Sequence, residues 1–170
     1  KSETVNHLIG NFLFRDDTTS VLDYQVIELR RNYAYFGSKM HFFRSLWQKD
    51  LKSEGFTVKN GEQELAEQEL VRNQLSLDPA NAKKYVYYPN SLPANLSIIY
   101  EPVPTESGMK ILANNIYFNK DGYYTGHNII WEGEMAKHGI ADLLPYDFRP
   151  TCEVSMLYIP KLMVPSISNN

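Results

Sequence analysis

The sequence lacks the marks of several broad classes of protein. It contains one cysteine, Cys152, and a lone thiol can form neither an internal disulfide nor a zinc site. No run of about 18 consecutive apolar residues occurs, so we expect a chain that does not span a membrane. The net charge is -3, and no basic run is longer than Arg30-Arg31 or Lys83-Lys84, which indicates no nucleic-acid partner. The histidines show no metal-ligand spacing, and neither a glycine-rich phosphate loop nor a G-x-S-x-G elbow occurs, so we expect no metal, no cofactor and no catalytic constellation.

Aromatic side chains are what the sequence has in quantity. Tyr, Phe and Trp make up 13% of the 170 residues, and 12 of these are Tyr. The hydrophobic fraction of 43% and the charged fraction of 22% are typical of a globular protein. A chain of this length can bury roughly 70% of its unfolded surface, so it can fold without a metal or a disulfide. We expect a single domain over residues 1–150 and an extended segment over residues 151–170.

The most apolar segment with clear helix signals is residues 37–47, and we expect the rest of the chain to pack around it. Ser38 is a typical N-cap, and Gly55 is the expected end of this helix. The apolar positions recur at helical spacing and are Met40, Phe42, Phe43, Leu46, Trp47 and Leu51. A stripe this wide predicts burial against a sheet or a neighbouring helix. The charged residues that we expect in solvent are Lys49, Lys52 and Glu54.

A second apolar stripe precedes this segment and predicts another helix. Its members recur at i, i+4, i+7, i+11 and i+14 and are Leu22, Val26, Leu29, Tyr33 and Phe36. Ser20 or Thr19 is expected to cap the helix, and Gly37 is expected to end it. Two helices that meet at Gly37-Ser38 predict a helical hairpin or an abrupt bend.

Segments of β character follow the two helices. They are Phe56–Gly61, Tyr85–Tyr88, Leu96–Glu101, Ile111–Phe118 and Ile129–Trp131, with Val5–Phe14 before them and Val154–Ile159 after them. Residues 62–74 fit a surface helix or an exposed strand edge, and Val5–Phe14 also fits helical spacing. Asn119–Gly122 is a tight-turn signature, in which the Asp-Gly pair suits positive φ. Residues 133–144 predict a short late helix, which Pro145 ends.

This order of elements predicts an α+β fold, because helices cluster early, strands follow and another helix comes late. We expect a mainly antiparallel sheet packed against an N-terminal helical hairpin, with a further short helix near the C-terminus. If Trp47 is buried in that interface, Trp47→Ala should cost about 3–5 kcal/mol.

The best-defined polar candidates are His41 and Arg44, which lie three residues apart and share a helix face. Together with Ser38 they could bind an anion at the helix N-terminus, where unpaired N–H groups favour negative charge. The alternative, which we favour, is that both side chains bond to neighbouring loops and fix the hairpin, because structural networks imitate functional sites.

Tyrosines are the best candidates for a ligand surface, since each offers a rigid face and a polar tip. These candidates are Tyr85, Tyr87, Tyr88, Tyr123 and Tyr124. In a strand, Tyr85 and Tyr87 face one way and Tyr88 faces the other. One side could stack on sugars or on a partner chain; the alternative, which we favour, is cross-strand aromatic packing.

One set of possible metal ligands recurs at helical spacing. Glu134, His138 and Asp142 are each four residues apart and would lie on one helix face. A solvated face with i,i+4 pairs is the interpretation that we favour over a metal site.

Several stretches together resemble a known family. They are Gly10–Asp16, Tyr35–Leu46, Glu54–Phe56, Gly122–Tyr124, Trp131–Ala136 and Ala141–Pro150. In combination they resemble the Bacteroidetes cell-envelope proteins that carry a carboxypeptidase-regulatory-like domain. The C-terminal half of that family has a Gly-Ser-x-x-His-Phe-x-Arg-Ser-Leu helix, then Glu-Gly-Phe, and an Ala-Asp-Leu-Leu-Pro motif. The regulatory-like β-sandwich that normally comes first is missing here, so we expect a fragment or a short relative.

The resemblance implies a bacterial secreted or outer-membrane-associated protein, located in the cell envelope or periplasm. It implies no reaction, because the family supplies no catalytic residues. Our first hypothesis is a non-catalytic module that binds a protein or glycan partner or serves as the structural half of a larger surface protein. The candidate binding residues are Ser38, His41, Arg44, Tyr87, Tyr88, Tyr123 and Tyr124.

Our second hypothesis is a hydrolase that uses His41, Arg44 and a carboxylate, either Asp142 or Asp147. Geometry discriminates between the two hypotheses. The hydrolase needs these side chains to converge in an open pocket, whereas a buried His41 bonded to backbone would speak against it.

Overall fold

The fold is given by a computed structural model that describes residues 21–75, 83–86, 94–113, 116–125, 128–137 and 144–151. Side chains are described for these ranges except at residues 21–23, 72–75, 83–86 and 94. The helices in these ranges are α1 Val21–Tyr35, α2 Lys39–Gln48, α3 Glu67–Leu70 and α4 Glu134–Lys137. The strands are β1 Phe56–Asn60, β2 Gln63–Glu64, β3 Val71–Leu75, β4 Lys83–Val86, β5 Ala94–Tyr100, β6 Thr105–Ile111, β7 Ile116–Phe118 and β8 Ile129–Gly133.

The strands form two antiparallel sheets, and with the helices they confirm the predicted α+β fold. One sheet has five strands in the order β2-β1-β5-β6-β8, and the other has three in the order β3-β4-β7. In the larger sheet, Phe56 of β1 pairs with Tyr100 of β5, and Ile98 of β5 pairs with Ser107 of β6. This register places alternate residues of neighbouring strands on the same face.

The inner face of the five-stranded sheet supplies most of the hydrophobic core. Its buried hydrophobic residues are Phe56, Val58, Leu96, Ile98, Tyr100, Met109, Ile111 and Ile129. The residues between them, such as Thr57 and Ser97, are only partly buried. The alternation is that of a sheet with one face packed and the other towards solvent.

Helix α2 lies where the two sheets meet, and every residue from His41 to Leu46 is buried. The ring centroid of Phe42 lies 5.6 Å from that of Phe56 in β1. The ring centroid of Phe43 lies 5.3 Å from that of Phe118 in β7. The described chain therefore packs around this helix, as its wide apolar stripe predicts.

The end of α2 differs from the prediction, because the helix stops at Gln48 rather than at Gly55. Lys49 takes the left-handed conformation with φ 62 and ψ 48, and the N–H of Asp50 donates to the carbonyl of Ser45 at 2.9 Å. This bond closes the last helical turn and sends the chain back along the helix. Trp47 then lies near the end of the packed face and is partly buried against the core, with its ring centroid 6.0 Å from that of Phe118, and the cost of about 3–5 kcal/mol for Trp47→Ala stays a prediction.

Helix α1 is present as predicted, but the middle of its apolar stripe does not face the core. Val26, Leu29 and Tyr33 are exposed. The buried side of α1 instead carries Asn32 and Tyr35. The reason is that α1 packs against a later segment of the chain. Asn32 donates from Nδ2 to Oγ1 of Thr151 at 2.8 Å and accepts the N–H of Thr151 at 2.9 Å. Tyr35 packs on Phe148. These contacts hold α1 against residues 144–151.

The strand prediction needs two corrections, at β6 and at β7. Residues Ile111–Phe118 are not one strand, because Ile111 ends β6 in the larger sheet and Ile116 begins β7 in the smaller one. Most of β6 was missed, since Gly108 lies at its centre and weakens the strand signal. Residues 62–74 contain both predicted alternatives, a short helix α3 between strands β2 and β3.

The predicted turn at Asn119–Gly122 is confirmed, with Gly122 at φ 79 and its N–H donating to the carbonyl of Asn119 at 3.1 Å. The predicted late helix begins as α4, and its remaining residues 138–143 lie outside the described residues. Other predictions also lie outside them: strands Val5–Phe14 and Val154–Ile159, Tyr87 and Tyr88, and Cys152.

Candidate functional site

Ser38 is the N-cap of α2. Its backbone is extended, with φ -77 and ψ 168, and its Oγ accepts the N–H of His41 at 3.2 Å. Ser38 is itself buried, and its own N–H donates to the carbonyl of Tyr35 at 3.0 Å. The hydroxyl therefore satisfies a helix donor that an anion would otherwise use, so Ser38 acts as a structural cap.

His41 is only 2% exposed, and both of its ring nitrogens are engaged. The N–H of Gly37 donates to Nδ1 at 3.2 Å, so Nδ1 carries no proton. The ring proton is therefore on Nε2, which lies 3.0 Å from Oε2 of Glu54 and donates to it. Burial lowers the pKa of His41 below its usual range, and the Glu54 carboxylate offsets part of that shift. The side chain is thus a neutral imidazole with no free nitrogen.

Aromatic rings enclose this imidazole. The ring centroids within 6 Å of that of His41 belong to Tyr35 at 4.7 Å, Phe56 at 4.8 Å, Phe36 at 5.5 Å and Tyr100 at 5.6 Å. Glu54 was expected in solvent, and it is exposed, yet its carboxylate reaches inward to His41. The left-handed turn at Lys49 brings Glu54 back to the helix. No periodic pattern in the sequence predicts the pair of His41 and Glu54.

Arg44 is 4% exposed and binds three backbone carbonyls. Its Nε donates to Asp121 at 3.0 Å, one terminal nitrogen donates to Phe148 at 2.7 Å, and the other donates to Tyr146 at 2.8 Å. The guanidinium also lies 5.4 Å from the ring centroid of Tyr35. The planar guanidinium of arginine suits this role, because its several N–H donors point in different fixed directions and can reach three carbonyls at once.

These bonds fasten two loops to α2, and each loop presents a tyrosine. The first loop is the 119–123 turn, in which the side-chain oxygen of Asn119 accepts the N–H groups of Asp121 and Tyr123, both at 3.0 Å. The second is residues 145–149, where the N–H of Phe148 donates to the carbonyl of Pro145 at 2.9 Å. Arg44 thus sets the position of one loop relative to the other.

Tyr123 and Tyr146 form an exposed pair on these loops, which we call the tyrosine surface together with Asp121 and Arg149. The two tyrosines are 51% and 58% exposed, and their ring centroids lie 5.6 Å apart at an angle of 88°. A terminal nitrogen of Arg149 lies 3.5 Å from Oδ1 of Asp121. Partial burial and then the neighbouring Tyr123 raise the pKa of Tyr146, so this phenol stays neutral.

Tyr124 has a different role from its neighbour. Its ring stacks on Phe43, with centroids 4.5 Å apart at 25°, and meets the ring of Trp131 at 5.9 Å. Burial raises its pKa to about 12. Tyr124 is therefore a packing residue, and of the predicted tyrosine pair only Tyr123 faces solvent.

The structure does not bring the hydrolase residues into an open pocket among the residues it describes. His41 and Arg44 are buried, Asp147 is exposed, and Asp142 lies outside the described residues. In the described part of the chain no group of three or more His, Cys, Asp or Glu could hold a metal. Of the suggested metal set, His138 and Asp142 lie outside that part.

Sequence reasoning missed Tyr146 and the bonds that position it. The only local signal that Tyr146 is exposed is its position directly after Pro145, because proline favours a loop. The bonds from Arg44 span 77 to 104 residues of chain, and no local pattern can reveal them.

Comparisons of this chain with family models, curated proteins and solved structures find no match. Among the described residues, no helix has both the length and the apolar character needed to cross a membrane.

Proposed function

We propose that this chain is a non-catalytic binding module that holds its ligand on the tyrosine surface. The observation that carries the proposal is the use made of Arg44. A buried cation bonds to the backbone of both loops, while Tyr123 and Tyr146 on those loops stay exposed. Burying a guanidinium costs free energy unless its donors are satisfied, so the two loops are held by an unusually strong set of bonds.

The exposure of these rings supports binding. A large rigid aromatic with a polar tip gives much contact area for little lost conformational entropy. The rings also lie on loops, where binding residues are often placed on a rigid scaffold. Arg44 and Asn119 bond to the backbone of these loops, so they fix the positions from which the two rings project.

Ser38, His41 and Arg44 act in this proposal as structural residues rather than as contacts to the ligand. Their polar atoms bond to backbone and to Glu54. No observation among the described residues favours the hydrolase, because His41 has neither an accessible face nor a free ring nitrogen. The alternative is that the chain has only a structural role in a larger surface protein. In that case Tyr123 and Tyr146 would bind no ligand.

We also propose that the module belongs to a bacterial secreted or outer-membrane-associated protein. This part rests on the resemblance of residues 35–46, 54–56 and 141–150 to the Bacteroidetes cell-envelope family. Fractionation of a source cell, with an antibody raised against the chain, tests the location directly. Recovery in the cytosolic fraction would contradict it.

The binding function is tested by comparing stability with binding. The double variant Tyr123→Ala, Tyr146→Ala should keep the melting temperature within about 2 °C, since exposed side chains contribute little, and should lose binding to an array of polysaccharides and envelope proteins. His41→Gln should do the reverse, with a lower melting temperature and unchanged binding by the folded fraction. A hydrolytic activity that His41→Gln abolishes at an unchanged melting temperature would overturn the proposal in favour of the enzyme.

A further inference from the structure

We infer that the tyrosine surface binds an uncharged glycan through one or two of its sugar rings, an inference that rests on the proposed binding function. Four residues carry it: Tyr123 and Tyr146 as stacking faces, and Asp121 and Arg149 as partners for hydroxyl groups.

The two rings form a corner. Their planes are 88° apart with centroids at 5.6 Å, so the edge of one ring points at the face of the other. Each ring is about half exposed and offers a flat apolar face to solvent. A pyranose has one face lined by C–H groups, which packs on such a ring, while its hydroxyls project around the rim. The phenol groups at the ends of both rings can then donate and accept hydrogen bonds.

Beside this corner the polar groups are paired. Arg149 lies 3.5 Å from Oδ1 of Asp121 and donates to the carbonyl of Phe148 at 2.8 Å, while its side chain remains 61% exposed. A carboxylate that accepts and a guanidinium that donates, held side by side, match two neighbouring hydroxyls of a sugar.

The charges of this surface cancel. Asp121 is balanced by Arg149, and the next exposed charges along the two loops, Lys120 and Asp147, also have opposite signs. A net field of either sign would favour an ionic ligand, as basic clusters favour phosphates. Arg44 lies buried beneath the two loops, so only the exposed charges can pair with a ligand, and their balance favours a ligand without charge.

The aromatic area of this surface is small. A fully buried tyrosine contributes roughly 200 Å², so two half-exposed rings offer about 200 Å² together. A stable protein interface needs about 800 Å² on each partner. One or two sugar rings fit the smaller value, and the fixed loops limit the entropy lost on binding.

The experiment is calorimetric titration of the folded chain with neutral hexose oligosaccharides (β-1,4-glucan, α-1,4-glucan and mannan) and with alginate as an acidic polymer. We expect a neutral oligosaccharide to bind, with an affinity that changes less than about threefold between about 50 and 500 mM NaCl, because no charge is screened. Tyr123→Ala and Tyr146→Ala should each weaken it by about tenfold or more, as the loss of one stacking contact does.

Four further variants complete the design. Tyr123→Phe keeps the stacking face and should bind within about threefold of the original chain. Tyr24→Ala removes a tyrosine of equal exposure, 49%, on α1 and should change nothing. Asp121→Asn keeps the acceptor oxygen and should lose less affinity than Asp121→Ala.

The inference is overturned if no neutral oligosaccharide binds, or if alginate binds in a salt-dependent manner instead. If an envelope protein binds through Tyr123 and Tyr146 while the glycans do not, the inference fails and the proposed binding function stands. If neither glycans nor envelope proteins respond to the tyrosine variants, both fail.

Discussion

The Nε2 atom of His41 and the Oε2 atom of Glu54 lie 3.0 Å apart, joining the buried face of α2 to the loop before β1. Thirteen residues separate the two, and the chain reverses at Lys49 between them. The N–H of Gly37 donates to Nδ1 of His41, so the ring proton is on Nε2 and is the one donated to Glu54. A second proton on this ring would break the bond to Gly37 and place a charge among aromatic rings.

Stability should therefore fall in mild acid through His41. Its pKa in the folded chain is below the ordinary value of 6.5, so the unfolded chain takes up a proton first as the pH falls. The free energy of unfolding should decrease from about pH 6.5 down to the lowered pKa, and should not change through this group above that window. Urea unfolding at intervals of pH, for the original chain and for His41→Gln, measures the difference between them.

Glu54→Gln is the control for this assignment. The amide oxygen can still accept the proton of Nε2, but the negative charge that raises the pKa of His41 is gone. We expect the His41 resonances to titrate at a lower pH in this variant. Titration of His41 at or above pH 6.5 in the original chain would contradict the buried neutral imidazole.

Arg44→Met should destabilise the chain by about 3 kcal/mol or more, because three backbone carbonyls that are buried or partly buried lose a charged donor. Arg44→Lys should recover little, since one ammonium cannot direct donors to three separate carbonyls.

Amide exchange at residues 119–123 and 145–149 should be faster in Arg44→Met, since both loops lose their bonds to the same side chain. The exposed Arg149→Met is the matched control and should cost less than about 1 kcal/mol. Slow exchange in both loops of Arg44→Met would contradict the role given to this residue.

Alkaline stability should depend on Tyr124. Burial raises its pKa from the ordinary 10.0 to about 12, so the unfolded chain loses this proton first as the pH rises. The free energy of unfolding should fall between about pH 10 and about pH 12, and Tyr124→Phe should reduce that fall. Tyr123→Phe, with an exposed ring, serves as the comparison in the same denaturation series. An identical decline in both variants would show that Tyr124 is not the group responsible.

Gly122→Ala should be costly for two reasons. The residue has φ 79, and a Cβ there would lie 2.6 Å from the carbonyl oxygen of Met40. Gly61 has φ 59 with nothing within 4 Å of a Cβ, so Gly61→Ala meets only the backbone strain. We expect about 1–2 kcal/mol at Gly61 and about 3–5 kcal/mol at Gly122 by thermal unfolding. Equal losses at the two positions would mean that the turn moves away from α2 without cost.

The elements set by local chemistry could be predicted from the sequence. Ser38 and Gly37 marked the corner between the helices, and the Asp-Gly pair marked the turn at Gly122, because capping and positive φ depend on neighbouring residues. The α+β class also followed from the order of elements. The β6 strand did not, because Gly108 interrupts its pattern and its pairing with β5 is decided by the whole sheet.

The site depended on contacts that no local pattern encodes. The stripe Val26, Leu29 and Tyr33 correctly predicted that α1 is a helix, but not which side of it is buried, because Asn32 and Tyr35 find their partners at residues 144–151. Likewise, residues 37–47 predicted a buried helix, yet the three carbonyls bound by Arg44 come from loops far along the chain. Helical periodicity identifies the apolar face of a helix, but the tertiary structure determines which side of the helix is buried and which residues pack against it.

The partners of Arg44 are main-chain oxygens, which every amino acid possesses. The identities of residues 121 and 146 can therefore change without altering the bonds that hold their loops. Such a chain can acquire a new binding specificity by substitution of the exposed side chains on the two loops, while the bonds from Arg44 to the backbone beneath them are retained.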